Sequence, residues 1–122
     1  DAADARYRLG EYDRALELFE AFDEDEDFIG ASAYAAQAAI YENRGEHAQA
    51  AALYEEAAEQ FENSLTSPQY LLEAGRAYEK AGDFDAAMRA FARIEEEYPD
   101  SDEAQDVSRY IARVRARQHS AS

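Results

Sequence analysis

The sequence predicts an all-α fold, an α-solenoid of antiparallel helix pairs with about seven helices and a C-terminal capping helix. Three observations predict it. Three stretches, RYRLGEYDRALELFE (6–20), YENRGEHAQAAALYE (41–55) and YEKAGDFDAAMRAFA (78–92), align on a glycine. Those glycines, Gly10, Gly45 and Gly82, stand 35 and 37 residues apart, within the range of periods that marks stacked helical repeats. Small and aromatic residues then recur at fixed offsets from each glycine: Ala15, Ala50 and Ala87 five residues on, Phe19, Tyr54 and Phe91 nine residues on, and Ala3, Ala38 and Gly75 seven residues before.

The elements follow in order from this frame. The spacing predicts helices over 1–9, 12–22, 29–44, 47–62, 68–81, 84–97 and 101–118, with a tail at 119–122. Glycine ends the first helix of each pair in a left-handed turn that other residues enter only at a cost. Ala38 and Gly75 let the two helices of a pair approach closely, while the rings nine residues beyond each turn fill the space between one pair and the next. Rings also stand two residues after each glycine (Tyr12, His47, Phe84) and four before the second and third (Tyr41, Tyr78). NSLTSP (63–68) supplies the extra length of the second spacing and reads as a loop, with Pro68 in the first turn of the helix it opens. Ser101 stands at an N-cap position, with Asp102 and Glu103 in the turn behind it. In the last helix Ala104, Val107, Ile111 and Val114 recur at threes and fours on one face. Acids lie early in that helix and Arg113, Arg115 and Arg117 lie late, which complements the helix dipole and suits a cap facing solvent. The 122 residues divide into a first unit over 1–29 that lacks most of its leading helix, a second over 30–67, a third over 68–100 and the cap over 101–118.

Composition narrows the function. The length suits one domain with a modest core. Without cysteine there is no disulfide, no thiolate metal site and no cysteine nucleophile. A formal charge of −16 opposes nucleic acid or an anionic membrane as partner for the surface as a whole. Lys80 is the only lysine among twelve basic residues, a bias that, with the acid excess and abundant alanine, resembles proteins from organisms living in concentrated salt. No apolar run approaches the length that spans a bilayer, and nothing near Asp1 reads as a signal sequence.

Candidate chemistry is sparse. DEDEDFIG (23–30) opens with the alternate aspartates of a calcium loop, Asp23, Asp25 and Asp27. Such a loop then needs a glycine and, later, a bidentate glutamate, and those places hold Phe28 and Tyr34. The stretch therefore reads as the connection between the first and second units, with Phe28 and Ile29 beginning the next buried face. His47 takes the place of Tyr12 and Phe84 and reads as a packing residue, and His119 lies in the tail. No nucleophile, histidine and acid arrangement, phosphate loop or metal spacing is present, so neither an enzyme nor a cofactor is expected.

The repeat resembles the tetratricopeptide repeat, a helix-turn-helix unit of about 34 residues, over essentially the whole chain. The third copy matches best, with Leu71, Gly75, Tyr78, Gly82, Phe84, Ala87, Phe91 and Pro99. The second has Glu62 in place of the closing proline and Gln37 at a usually apolar position, and the first has Arg6 where an aromatic belongs. IEEEYPDSDEAQDVSRYIAR (94–113) adds a likeness to bacterial cell-envelope members of the family, the ancillary subunit of the Sec translocon and the repeat domain of the Tol-Pal coordinator. Relatives of that kind often carry an N-terminal membrane anchor, so the resemblance implies an envelope location and a longer parent, with a cytoplasmic location as the alternative.

The resemblance further implies a concave groove, lined by the leading helices, that takes a peptide or helix of a partner. Its residues here would be Asp4, Tyr7 and Arg8 in the first unit, and Ser32, Ala35, Ala36, Ala39, Glu42 and Asn43 in the second. The third would add Gln69, Leu72, Glu73, Arg76, Glu79 and Lys80. Matching Ser108 with Gly75 aligns Arg109 and Arg113 with Arg76 and Lys80, so four cations would share one face of a very acidic chain. That points to a protein or peptide ligand with a carboxylate or an acidic segment. Glu73 with Arg76 and Asp106 with Arg109 are equally well spaced for plain helix-surface ion pairs. The lysine and asparagine pattern with which some members clamp chaperone C-termini is absent, since Ala35 and Ala39 occupy those places. A second function class remains, a structural spacer within a longer solenoid.

Overall fold

The computed structural model describes residues 27–121. The expected helices over 1–9 and 12–22, with Gly10, Phe19 and Arg8, lie outside the described residues. Five helices and no strand are found among the described ones: α1 (Asp27–Asn43), α2 (His47–Gln60), α3 (Ser67–Ala81), α4 (Phe84–Glu97) and α5 (Asp102–Ala121). All five expected helices of this region are present, with boundaries shifted by residues that fray or cap.

Two turns repeat one another bond for bond. Gly45 (φ 78°) and Gly82 (φ 83°) are left-handed. In the first, the N–H of Gly45 donates to Glu42 and that of Glu46 to Tyr41. In the second, the N–H of Gly82 donates to Glu79 and that of Asp83 to Tyr78. This paired bonding satisfies the last carbonyls of α1 and α3 and sends the chain back antiparallel. Asp83 then caps α4 by accepting from the Ala86 N–H at 3.2 Å.

Within each pair the helices meet where one of them lacks a side chain. Gly30 in α1 faces the ring of Phe61, just past α2, and Gly75 in α3 faces the ring of Phe91 in α4. A Cβ built on either glycine would lie 2.4 Å from a ring carbon, so each ring occupies the place a methyl group would take. Tyr34 also meets Phe61, ring centroids 5.8 Å apart, which places the start of α1 beside the end of α2.

The pairs stack through two linked clusters. One gathers Ala38, Ala50, Ala51, Tyr54, Ala74, Ala77 and Ala90, whose small side chains let α1, α2, α3 and α4 close up. The other gathers Leu71, Phe91, Ile94, Val107 and Val114, fully buried between α3, α4 and α5. The buried rings Tyr54 and Phe91 are the ones that the repeat offset marks. Polar contacts carry the same period: Arg93 in α4 reaches Glu59 in α2 at 2.7 Å across 34 residues. Tyr98 donates to Glu62 at 2.8 Å across 36. Equivalent helices of successive pairs therefore lie side by side and parallel.

The connections are built rather than slack. Asn63 Oδ1 accepts from the N–H groups of Leu65 and Thr66 at 2.8 and 3.2 Å. Buried Ser67 accepts from the Asn63 N–H and donates to the Ala58 carbonyl, each at 2.9 Å, and Pro68 sits in the first turn of α3. Ser101 Oγ accepts from the Ala104 N–H at 3.1 Å, the expected cap of α5.

One expectation needs correcting. Residues 119–121 continue α5 instead of forming a tail, because Gln118 donates to Asp85 at 2.8 Å and Arg117 lies over the Phe84 ring at 5.5 Å, tying the last turns to the start of α4.

Candidate functional site

Because α1, α3 and α5 run side by side, the ends of α1 and α3 and the later half of α5 converge on one face. They border an open cavity of about 600 Å³ lined by Glu42, Glu73, Arg76, Glu79, Lys80, Arg113 and Arg117. α1 contributes one carboxylate, α3 two carboxylates and two cations, and α5 two guanidinium groups.

Glu79 organises the wall between α3 and α5. Its side chain is only 6% exposed, yet it accepts from Arg113 at 2.6 and 3.2 Å, through both oxygens, and from Arg117 at 2.7 Å. Burial alone raises a carboxyl pKa. Here the hydrogen bonds and charges of the two arginines outweigh it and hold Glu79 below its ordinary value. Two cations sharing one carboxylate leave a net positive charge at this seam. Lys80, beside it and exposed, has no carboxylate partner among the described residues.

Tyr110 gathers three of the cations against the core. Its ring stacks on buried Phe91, centroids 5.6 Å apart. The guanidinium carbons of Arg113, Arg109 and Arg76 lie 5.1, 5.5 and 5.6 Å from its centre. Each such contact contributes about 0.5 to 1 kcal/mol at an exposed site. The opposite wall is acidic: burial first, then the charges of Glu42 and Glu73, push the Tyr54 hydroxyl well above its ordinary pKa.

Six of the residues expected on the groove face, Glu42, Glu73, Arg76, Glu79, Lys80 and Arg113, line this cavity. Arg109 joins them only through Tyr110. The two local ion pairs also form, Arg76 with Glu73 at 3.7 Å and Arg109 with Asp106 at 3.4 Å. Ser32, Ala35 and Ala39 are half-buried along α1 and Asn43 is exposed at its end. Leu72 packs against the Leu71 and Phe91 cluster. Gln69 borders a separate hollow of about 450 Å³ with Tyr98 and Ser101.

Sequence reasoning missed Arg117 and Tyr110, and the reason is a register of one residue. Matching Ser108 with Gly75 sets Arg113 against Lys80. Observed contacts join Glu79 to Arg113 across 34 residues, and Tyr110 falls beside Arg76. Glu59 and Arg93 meet across the same 34 residues, a separation that shows only once the helices are stacked. His47 packs in the first turn of α2, its Nδ1 enclosed without a hydrogen-bond partner. No group of three or more acidic or histidine side chains fit for a metal occurs among the described residues, and the acids at 23–26 lie outside them. No helix among them is long and apolar enough to cross a membrane.

Stacked helix pairs with a charged hollow on one face define a helical-repeat protein of the solenoid class. Two family models described as tetratricopeptide repeat match the chain, one over residues 43–109 and one over residues 1–65, each more than half of its length. The chain belongs to the tetratricopeptide repeat family. No curated protein and no solved structure matches it in the corresponding comparisons.

Proposed function

We propose that this chain is a non-catalytic protein-interaction module whose inner face, between α1, α3 and α5, holds a peptide or helix of a partner through an acidic or carboxylate-bearing segment. The family's repeats commonly mediate protein–protein interaction. The observation that carries the finer reading is the excess of positive charge at the α3–α5 seam, in a chain whose formal charge is −16. There Arg113 and Arg117 share Glu79, and Lys80 stands beside them. In this reading residues 1–122 form one repeat domain and α5 caps it. The likeness of residues 94–113 to cell-envelope members supports a bacterial envelope location, with the cytoplasm as the alternative.

Titration calorimetry with acidic peptides and their amide counterparts tests this. Arg76→Glu with Lys80→Glu should weaken acidic-peptide binding by up to about thirtyfold, two reversed charges each contributing up to about 1 kcal/mol. Equal affinity for the two peptide sets, or no effect of the reversals, refutes the acidic-ligand reading. A second reading, the structural spacer, has one observation in its favour. A shallow hollow lined by Met88, Ala92 and Ile111 between α4 and α5 lies where a further helix would stack. Oligomerisation of the full-length protein that Ile111→Glu abolishes, with no peptide binding, would favour it.

A further inference from the structure

We infer that the groove reads charge order along the stack: it selects a segment with carboxylates over α5 and a lysine or arginine over α1. This rests on the inner face being the binding face and goes on to specify its ligand. The geometry that points to it is the distribution of charge across the three parallel helices. α1 presents a carboxylate to the cavity and no cation, α5 presents two guanidinium groups and no carboxylate, and α3 presents two of each sign.

Pairing within the wall sharpens the gradient instead of erasing it. Arg76 is offset by Glu73. Glu79 meets two arginines and offsets one, so the α3–α5 seam keeps the charge of one guanidinium and that of Lys80. On the α1 side Glu42 forms no ion pair among the described residues, and its charge acts on Tyr54 from the first pair of helices. A uniformly acidic ligand therefore meets attraction at α5 and repulsion at Glu42, and a uniformly basic one meets the reverse. Only a bipolar segment is attracted at both ends.

Stacked helices lie about 8 to 10 Å apart, so α1 to α5 spans about 20 Å. An extended chain covers that in about six residues. The probe is accordingly an end-blocked synthetic peptide with two aspartates, a glycine-serine spacer of that length and one lysine, titrated into the full chain at low salt.

Double-mutant cycles decide the order without depending on which way the peptide runs. Replacing the peptide lysine by alanine should weaken binding about two- to fivefold in the wild type and leave Glu42→Gln unaffected. Replacing its aspartates should weaken the wild type and have a reduced effect in Lys80→Ala. Both substitutions are at solvent-accessible positions, and circular dichroism confirms that the variants fold. If the peptide binds but the lysine couples to Lys80→Ala as strongly as to Glu42→Gln, or to neither, the charge order is wrong and the groove still binds peptides. If neither this peptide nor its uncharged and all-acidic counterparts bind at millimolar concentration, the order and the groove reading both fall.

Discussion

Gly75 shows how much a single missing methyl group decides. Alanine is the better helix former by about 1 kcal/mol, so propensity alone says that Gly75→Ala stabilises α3. The site says otherwise, because a Cβ there would stand 2.4 Å from the Phe91 ring, which is itself fully buried. We predict a net loss of about 1 to 3 kcal/mol in denaturant unfolding, as for other overpacked cores, and a larger loss for Gly75→Leu. Gly82→Ala separates packing from backbone strain. Nothing lies near its Cβ position, but its φ of 83° is left-handed, so about 1 to 2 kcal/mol should be lost through the backbone alone. Should Gly75→Ala prove stabilising, the close contact of α3 with α4 is misjudged.

At the scale of elements, α3 and α5 are joined by Glu79 with its two arginines above a seam of Leu71, Val107 and Val114. Since Arg113 and Arg117 hold the native carboxyl below its ordinary value, the pair contributes stability that is fully present above the unfolded value near 4.5. It is lost as pH falls through the lower native value. We predict that the wild type exceeds Glu79→Gln in melting temperature at neutral pH, and that the gap closes as pH drops below about 4. A gap that stays constant in acid would show that Glu79 acts by shape and not by charge. The arginines are about half exposed and regain water when released, so the neutral-pH loss should be about 2 kcal/mol, within the range for charged hydrogen bonds. Arg93 of α4 joins that helix to α2 through Glu59 and also pairs with Glu97 one turn on in its own helix.

For the molecule as a whole the governing quantity is 28 acids against 12 basic side chains. The described arginines already engage several of the acids, and adding the remaining repulsion costs the compact state. At about 1 M salt the Debye length is about 3 Å, which removes most repulsion between exposed carboxylates while leaving the buried contacts intact. The melting temperature is therefore expected to rise from dilute buffer to molar sodium chloride. A flat or falling curve in scanning calorimetry would refute the adaptation to salt that the lysine-poor, acid-rich composition suggests. The same screening should weaken peptide binding in the groove, so stability and affinity are expected to move in opposite directions with salt.

The sequence by itself determined the helix pairs, their turns and the face that each helix buries. Those properties are local: glycine with positive φ ends α1 and α3, Ser101 caps α5, and apolar side chains at threes and fours mark a buried stripe. It also marked Arg76, Lys80 and Arg113 as neighbours, because equivalent positions of stacked units share a face. Only the tertiary structure decided that Glu79, and not Lys80, meets Arg113, that Arg117 completes the pair, and that Tyr110 gathers three guanidinium groups. The register between α3 and α5 depends on how far the chain advances through Tyr98 to Ser101 and on how Val107 and Val114 seat against Leu71 and Phe91. A displacement of one residue there turns a side chain by about 100° around its helix, and periodicity within either helix carries no information about it.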